Sequence, residues 1–320
     1  MQFPDKIKGY FYSLLAAFAV SNVYIFSKAA MREMKFPQFF FYWFGFASFW
    51  LLLYATYRKK FKLLRTISSR AYKIMIQVGM LEVLATLAFF QSINMADNPA
   101  IISFLANTTP IFVTILGVSF LKERFKGLET GGIILALAGA LVLSYKTQSG
   151  AGNIFEKGSL LIVISCFIYA TGTIIVRKNI KEIDVTLLSL IRALMLFATG
   201  TILILWKGYP FDITNSGLFN IAVGSFIGPF FMIILTYSAL QYIEASRNSI
   251  VMTSRGIFVL FISYLYFGMI PEPYQIFGGL LTIAGVILIS AGRLKKIKRL
   301  NYKQRLQKVK KDFFHFSRIK

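Results

Sequence analysis

The chain has 320 residues, 56% of them hydrophobic, and a mean hydropathy of +0.63. It holds one cysteine and one histidine, Cys166 and His315, which excludes a disulfide framework, a Cys/His metal site and a histidine-based catalytic triad. No phosphate-binding glycine loop or hydrolase motif occurs either, so we expect neither an enzyme nor a bound cofactor or metal. The net charge of +23 does not indicate a nucleic-acid partner, because the basic residues lie between apolar runs and after the last one.

The apolar runs predict an all-α integral membrane protein, because about 20 apolar residues at 1.5 Å each span the roughly 30 Å hydrocarbon layer. The first run lacks a small-residue cleavage site, so we interpret it as an uncleaved helix. Short connections leave no inserted soluble domain. The ten predicted helices cover 10–30, 38–57, 73–94, 99–120, 127–146, 158–177, 185–206, 217–238, 248–268 and 273–292.

Lysine and arginine are concentrated in the even-numbered connections between these helices. The second connection, 58–73, carries seven such residues and the fourth, 122–126, carries three. The odd-numbered connections are poorer, and the first, with Arg32 and Lys35, is the exception. The positive-inside rule therefore predicts that the even connections and both termini are cytoplasmic.

An apolar helix, a break and a Gly/Ala-rich helix occur twice, about 147 residues apart. Gly131-Gly132 in the first copy corresponds to Gly278-Gly279 in the second, and such small residues let helix backbones approach closely. This duplication predicts two five-helix repeats, residues 1–147 and 148–292. Because five is odd, the second repeat is inverted relative to the first, as alternating access requires.

The tail, residues 293–320, has twelve Lys or Arg residues and one acid, with apolar residues between them. This composition favours a basic amphipathic helix on anionic lipid. A disordered solvated run, or a segment that binds a protein or nucleic-acid partner, is the alternative.

Three charged residues lie well inside predicted spans, away from the span ends, where charge is costly and therefore indicates function. Glu82, near the middle of the third helix, suits a cationic substrate group or a coupling proton, or else an ion pair with an arginine. Arg192 and Arg255 suit a carboxylate or phosphate of the substrate, or pairing with Glu82 or with a backbone carbonyl at a broken helix. Arg192 could instead extend to the cytoplasmic edge.

Two prolines predict irregular backbone beside polar residues, a feature tolerated where it lines a cavity. Asn107-Thr108-Thr109-Pro110 should kink the fourth helix, and Gly228-Pro229 the eighth. The aromatic candidates fit packing or an interfacial belt as well as a pocket. The remaining predicted substrate contacts are Asn22, Gln91, Asn107, Tyr42, Tyr169 and Tyr237.

The two repeats of five predicted helices resemble the EamA-type members of the drug/metabolite transporter superfamily. The run from Asn98 to Pro110 is similar to the family's small-residue run before a proline, and Phe120-Leu121-Lys122-Glu123 to its Phe-Leu-x-Glu motif. The Gly-rich helix from Gly131 to Gly139 follows, as in the family. The second repeat departs from the pattern, because Ile270-Pro271 stands where the motif would end in glutamate.

The resemblance implies a secondary transporter of an inner or plasma membrane that exports a small organic metabolite, with an amino acid as one candidate. We expect the site at mid-depth between the repeats, lined by helices 1, 3, 4, 6, 8 and 9, with a proton or counter-substrate as coupling partner. The alternatives are a carrier of nucleotide sugars or other phosphate-bearing metabolites, and a membrane scaffold that acts through its basic tail.

Overall fold

The computed structural model describes residues 5–95, 105–125, 127–144, 158–267 and 273–289, and within these ranges it is helical without strands. We number the helices α1 to α10, where α8 contains a π-helical segment and α9 a 3-10 segment. A short 3-10 helix, Lys60–Arg65, lies between α2 and α3. The helices are α1 Asp5–Met31, α2 Phe36–Tyr57, α3 Ser69–Met95, α4 Thr109–Leu121, α5 Gly127–Ser144, α6 Ser159–Asn179, α7 Val185–Lys207, α8 Asn215–Tyr242, α9 245–267 and α10 Pro273–Ile289.

Five of the described helices, α2, α3, α6, α7 and α8, are long and apolar enough to cross a membrane, and α4, α5 and α10 are shorter apolar helices. Large apolar side chains such as Phe120, Leu160 and Trp206 are about 70% exposed on the outside of the bundle. Lipid tails solvate such a surface without cost. The expected multi-pass membrane protein is thus confirmed, while the basic tail at 293–320 lies outside the described residues.

Both predicted proline irregularities are present. The described part of the fourth predicted helix has a turn at Asn107–Thr108, and α4 begins at Thr109 with Pro110 in its first turn. In α8, the segment Phe226–Met232 around Pro229 is π-helical. Each proline lacks a backbone N–H, so the regular hydrogen-bond ladder cannot continue through it. A third irregularity, the 3-10 segment Met252–Ser254 in α9, is not caused by a proline.

The contacts that the first five helices make correspond to contacts that the last five make. The helix α2 packs on α7, α3 packs on α6 as α1 does on α8, and α4 packs on α6 as α1 does on α9. Replacing each helix by its counterpart five positions along, with α6–α10 replaced by α1–α5, converts every one of these contacts into another or into itself. The helices α5 and α10 also touch, since a Cβ on Gly132 would lie 2.8 Å from the Gly285 carbonyl and one on Gly139 2.5 Å from the Thr282 nitrogen. The glycines of α5 therefore permit close approach of α10.

Connections of equal parity meet at the same end of the bundle. At one end, which we call the even end, Lys60 pairs with Asp184 at 2.7 Å. At the other, the odd end, the Gln38 side chain donates to the Pro210 carbonyl at 2.9 Å, and Tyr42 bonds the Phe211 carbonyl. The second and sixth connections thus lie together, and the seventh lies beside the start of α2.

Candidate functional site

A cavity of about 220 Å³ lies in the middle of the bundle. All six helices that were expected to line it do so, and α2 and α7 add Trp43, Phe44 and Arg192 to its wall. The two extra helices pack on each other. Apolar side chains dominate the wall, whose charged members are Glu82, Arg192 and Arg255.

Glu82 and Arg192 form a buried ion pair. Arg192 Nε donates to Glu82 Oε2 at 3.0 Å, and the two residues are 6% and 3% exposed. The Tyr237 hydroxyl donates to the other carboxylate oxygen, Oε1, at 3.4 Å. The pairing predicted for Glu82 is therefore present, with Arg192 as the partner. Burial makes both charges depend on it, because an unpaired charge in a low-dielectric interior is costly.

Arg255 lies where the irregular parts of α4 and α9 meet. The 3-10 segment of α9 ends just before it, and its Nη2 donates to Asn107 Oδ1 in the turn before α4. At 3.5 Å this hydrogen bond is long and therefore weak. No salt bridge joins Arg255 to an acidic residue in the described part of the chain.

The other predicted contacts divide into two groups. Tyr169 lines the cavity, while Tyr237 and Asn107 contact its charged residues. The cavity wall does not include Asn22, Gln91 or Tyr42. The Asn22 side-chain amide donates to the Phe18 carbonyl of its own helix, and Gln91 is exposed. The Tyr42 hydroxyl donates to the Phe211 carbonyl at the odd end.

The Phe-Leu-x-Glu motif has a role that the sequence did not reveal. Glu123 Oε1 accepts from the Ala245 N–H at 2.9 Å, and Glu123 Oε2 accepts from the Ser246 N–H at 3.2 Å and the Ser246 hydroxyl at 2.5 Å. These N–H groups open α9, where helical donors lack partners and the helix dipole favours negative charge. Lys122, with φ of +53°, turns the chain so that Glu123 reaches them. The motif glutamate thus caps a helix of the other half of the chain.

Arg247 lies in the eighth predicted connection, where a solvated cation is expected, but it is 1% exposed. Its guanidinium pairs with Glu129 at 2.7 Å and Glu244 at 3.0 Å, and lies 5.1 Å from the centre of the Phe125 ring. Counting loop charges treats them as solvated, so it could not reveal this burial. We call Glu123, Glu129, Glu244, Ser246 and Arg247 the even-end clasp, because they join the α4–α5 connection to the start of α9.

Comparison with known proteins agrees with this architecture. The sequence profile of the EamA-like transporter family matches residues 7–145 and again residues 156–291. A solved structure titled "Crystal structure of protein" has the same fold, with a TM-score of 0.67 at 13% identity over 90% of this chain and 97% of that one.

Curated relatives are more distant in sequence. "Uncharacterized transporter YdfC" from Bacillus subtilis (strain 168) is 24% identical over 208 residues, which are 62% of this chain and 66% of that one. An "Uncharacterized transporter" from Archaeoglobus fulgidus is 24% identical over 196 residues, 59% of this chain and 66% of that one. The chain thus spans just under two thirds of the length of these relatives.

Proposed function

Because the chain belongs to the EamA-like transporter family of the drug/metabolite transporter superfamily, we propose that it is a secondary transporter that moves a small organic metabolite by alternating access. The observation that carries this proposal is the central cavity, which places buried charges among helices from both halves of the chain. We place the protein in an inner or plasma membrane, with export as its direction and an amino acid as one candidate substrate.

The transporter consists of two inverted repeats, α1–α5 and α6–α10. Two features support this: the family profile matches the chain twice, and exchanging α1–α5 with α6–α10 maps the helix contacts given above onto one another or onto themselves. The break before α4 and the 3-10 segment in α9 occupy corresponding positions. The basic even connections and both termini face the cytoplasm, in agreement with the positive-inside rule.

In this proposal, the cavity opens toward the odd end. The even end is closed by the buried contacts of the clasp, so passage through it requires α9 to separate from the α4–α5 connection. Substrate contacts come from Arg255, Asn107 and Tyr169. Glu82 is the group for a coupling proton, because its protonation would release Arg192.

The experiment is uptake or counterflow of labelled amino acids and organic acids in liposomes that contain the purified full-length protein. Glu82→Gln should strongly lower transport per molecule of folded protein, because it removes the charge that Arg192 needs. Gln91→Ala is the matched control, since Gln91 is exposed and outside the cavity wall. Unchanged transport in Glu82→Gln would show that Glu82 neither carries a coupling proton nor recognises the substrate.

A second candidate is a carrier of phosphate-bearing metabolites such as nucleotide sugars, favoured by the presence of both Arg192 and Arg255 in the cavity wall. Arginine binds phosphate through paired N–H donors that lysine lacks. For such a carrier, Arg255→Lys should damage transport more than Glu82→Gln does.

The basic tail, residues 293–320, is proposed to bind anionic lipid. Its deletion should leave transport intact or lower only abundance. Loss of all cellular function with transport retained would instead favour a membrane scaffold that acts through the tail.

A further inference from the structure

We infer that the substrate is an organic anion with one carboxylate and an apolar body, and that Arg255 binds the carboxylate. This inference rests on the proposed function, because it names the substrate class of the same cavity.

The first argument is the charge of the cavity wall. Glu82 and Arg192 neutralise each other at 3.0 Å, so Arg255 is the one charge in the described wall without an ionic partner. The wall thus carries a net charge of plus one. In a largely apolar surrounding, a charge interacts far more strongly than it does in water. A ligand with a single negative charge compensates Arg255 without disturbing the buried pair.

The second argument is the state of Glu82. Its Oε2 already accepts from Arg192 and its Oε1 from Tyr237. A substrate ammonium would compete with Arg192 for this carboxylate, and displacement of Arg192 would leave a guanidinium buried without its counter-charge. An amino acid offers the required carboxylate, but its ammonium meets this obstacle. The cavity therefore favours an anion over a zwitterion or a cation.

The third argument is the supply of donors. Arg255 makes one weak hydrogen bond to Asn107, so most of its five N–H donors remain for a planar carboxylate. Arg192 Nη1 is buried and has no partner among the described residues. Asn248, 2% exposed and part of the wall, accepts from Ser13 at its Oδ1, and its side-chain N–H₂ makes no hydrogen bond within the described ranges.

The rest of the wall selects the body of the substrate. Val20, Val23, Trp43, Phe89 and Phe90 offer apolar and aromatic surface. The cavity is small, at about 220 Å³, so the body is small as well. A phosphate monoester carries about −1.5 to −2 charges at pH 7, more than one guanidinium balances, so a monocarboxylate fits better.

The test uses probes that share a benzene ring and differ in charge: phenylacetate, benzylamine, benzyl alcohol, phenylalanine and phenyl phosphate. Binding to the purified full-length protein is measured by the rise in unfolding temperature and by tryptophan fluorescence, because Trp43 lies in the cavity wall. Phenylacetate should bind tightest. Arg255→Gln should weaken its binding by about tenfold or more, and Arg255→Lys by less.

Arg70→Gln is the control, because Arg70 is a largely exposed even-end residue outside the wall, and it should leave phenylacetate binding unchanged. The probe series on the unmodified protein decides the charge preference even where Arg255→Gln does not fold. Equal or tighter binding of benzylamine or phenylalanine, or no binding of phenylacetate, would overturn the inference. Tighter binding of phenyl phosphate would do so as well, in favour of the phosphate carrier. Anion binding without flux in liposomes would instead overturn the proposed transport and leave the anion site in place.

Discussion

The two ends of the bundle are both held by contacts between connections, but these contacts differ in burial. At the even end, Arg247 and Glu129 are 1% and 3% exposed and pair at 2.7 Å. At the odd end, exposed Glu33 accepts hydrogen bonds from Thr214 and Ser216. Buried partners depend on each other, whereas water replaces an exposed partner at little cost. The even end should therefore resist opening more than the odd end does.

The largest effect is expected from Arg247→Met, which leaves Glu129 buried without a counter-charge. The free energy of unfolding should fall by about 3–5 kcal/mol. Arg70→Gln serves as the control, because its pair with Glu182 at 3.6 Å is largely exposed and contributes less than about 1 kcal/mol. Denaturant or thermal unfolding in detergent measures both. A similar loss in the two variants would contradict the role assigned to burial.

A smaller loss, about 1–3 kcal/mol, is expected from Glu123→Gln. The amide keeps one acceptor oxygen for the start of α9 but loses the charge that strengthens the hydrogen bonds from Ala245 and Ser246. The free energy of unfolding of this variant should be compared with that of Glu182→Gln, which removes the carboxylate of the exposed pair with Arg70. If Glu123→Gln were as stable as the unmodified chain, Glu123 would not be a significant cap.

Ser246→Ala tests a single hydrogen bond of the clasp. The Ser246 hydroxyl donates to Glu123, and its removal leaves the two backbone N–H donors in place. We expect a loss of about 1 kcal/mol. In a double-mutant cycle with Glu123→Gln, the two losses should be non-additive, since Ser246→Ala removes a bond that Glu123→Gln weakens. Additive losses of the free energy of unfolding would show that Ser246 and Glu123 do not stabilise the fold through a shared hydrogen bond.

The smallest effect is expected at the odd end and depends on pH. Hydrogen bonds from Thr214 and then Ser216 hold the pKa of Glu33 below its ordinary value of 4.5. A depressed folded-state pKa stabilises the fold above the unfolded-state pKa and ceases to do so as the pH falls through the folded value. The unmodified protein should therefore lose slightly more stability below about pH 4.5 than Glu33→Gln does, as measured by unfolding temperature against pH. Identical pH profiles would contradict this.

Much of the fold follows from the sequence, because lipid requires long apolar helices and proline interrupts them wherever it occurs. The boundaries predicted for α2 and α7 lie within two residues of those found, and the irregularities at Pro110 and Pro229 lie where expected.

The sequence did not show which side chains of each helix point into the cavity. A helix that is apolar all round carries no pattern that marks its inner side, so Asn22 and Gln91 were predicted as contacts although they lie outside the cavity wall. The clasp joins residues more than 110 positions apart, and no local pattern reveals such a contact.

The most direct test of alternating access uses Cys166, the single cysteine of the chain, which lies in the cavity wall. Sealed vesicles of each orientation are treated with a membrane-impermeant maleimide, with Cys166→Ser as the blank. We predict that Cys166 reacts from the odd end, that phenylacetate slows the reaction, and that reaction from the even end occurs only after Arg247→Met. Equal reaction from both ends of the unmodified protein, or an even end that stays closed in Arg247→Met, would contradict the account.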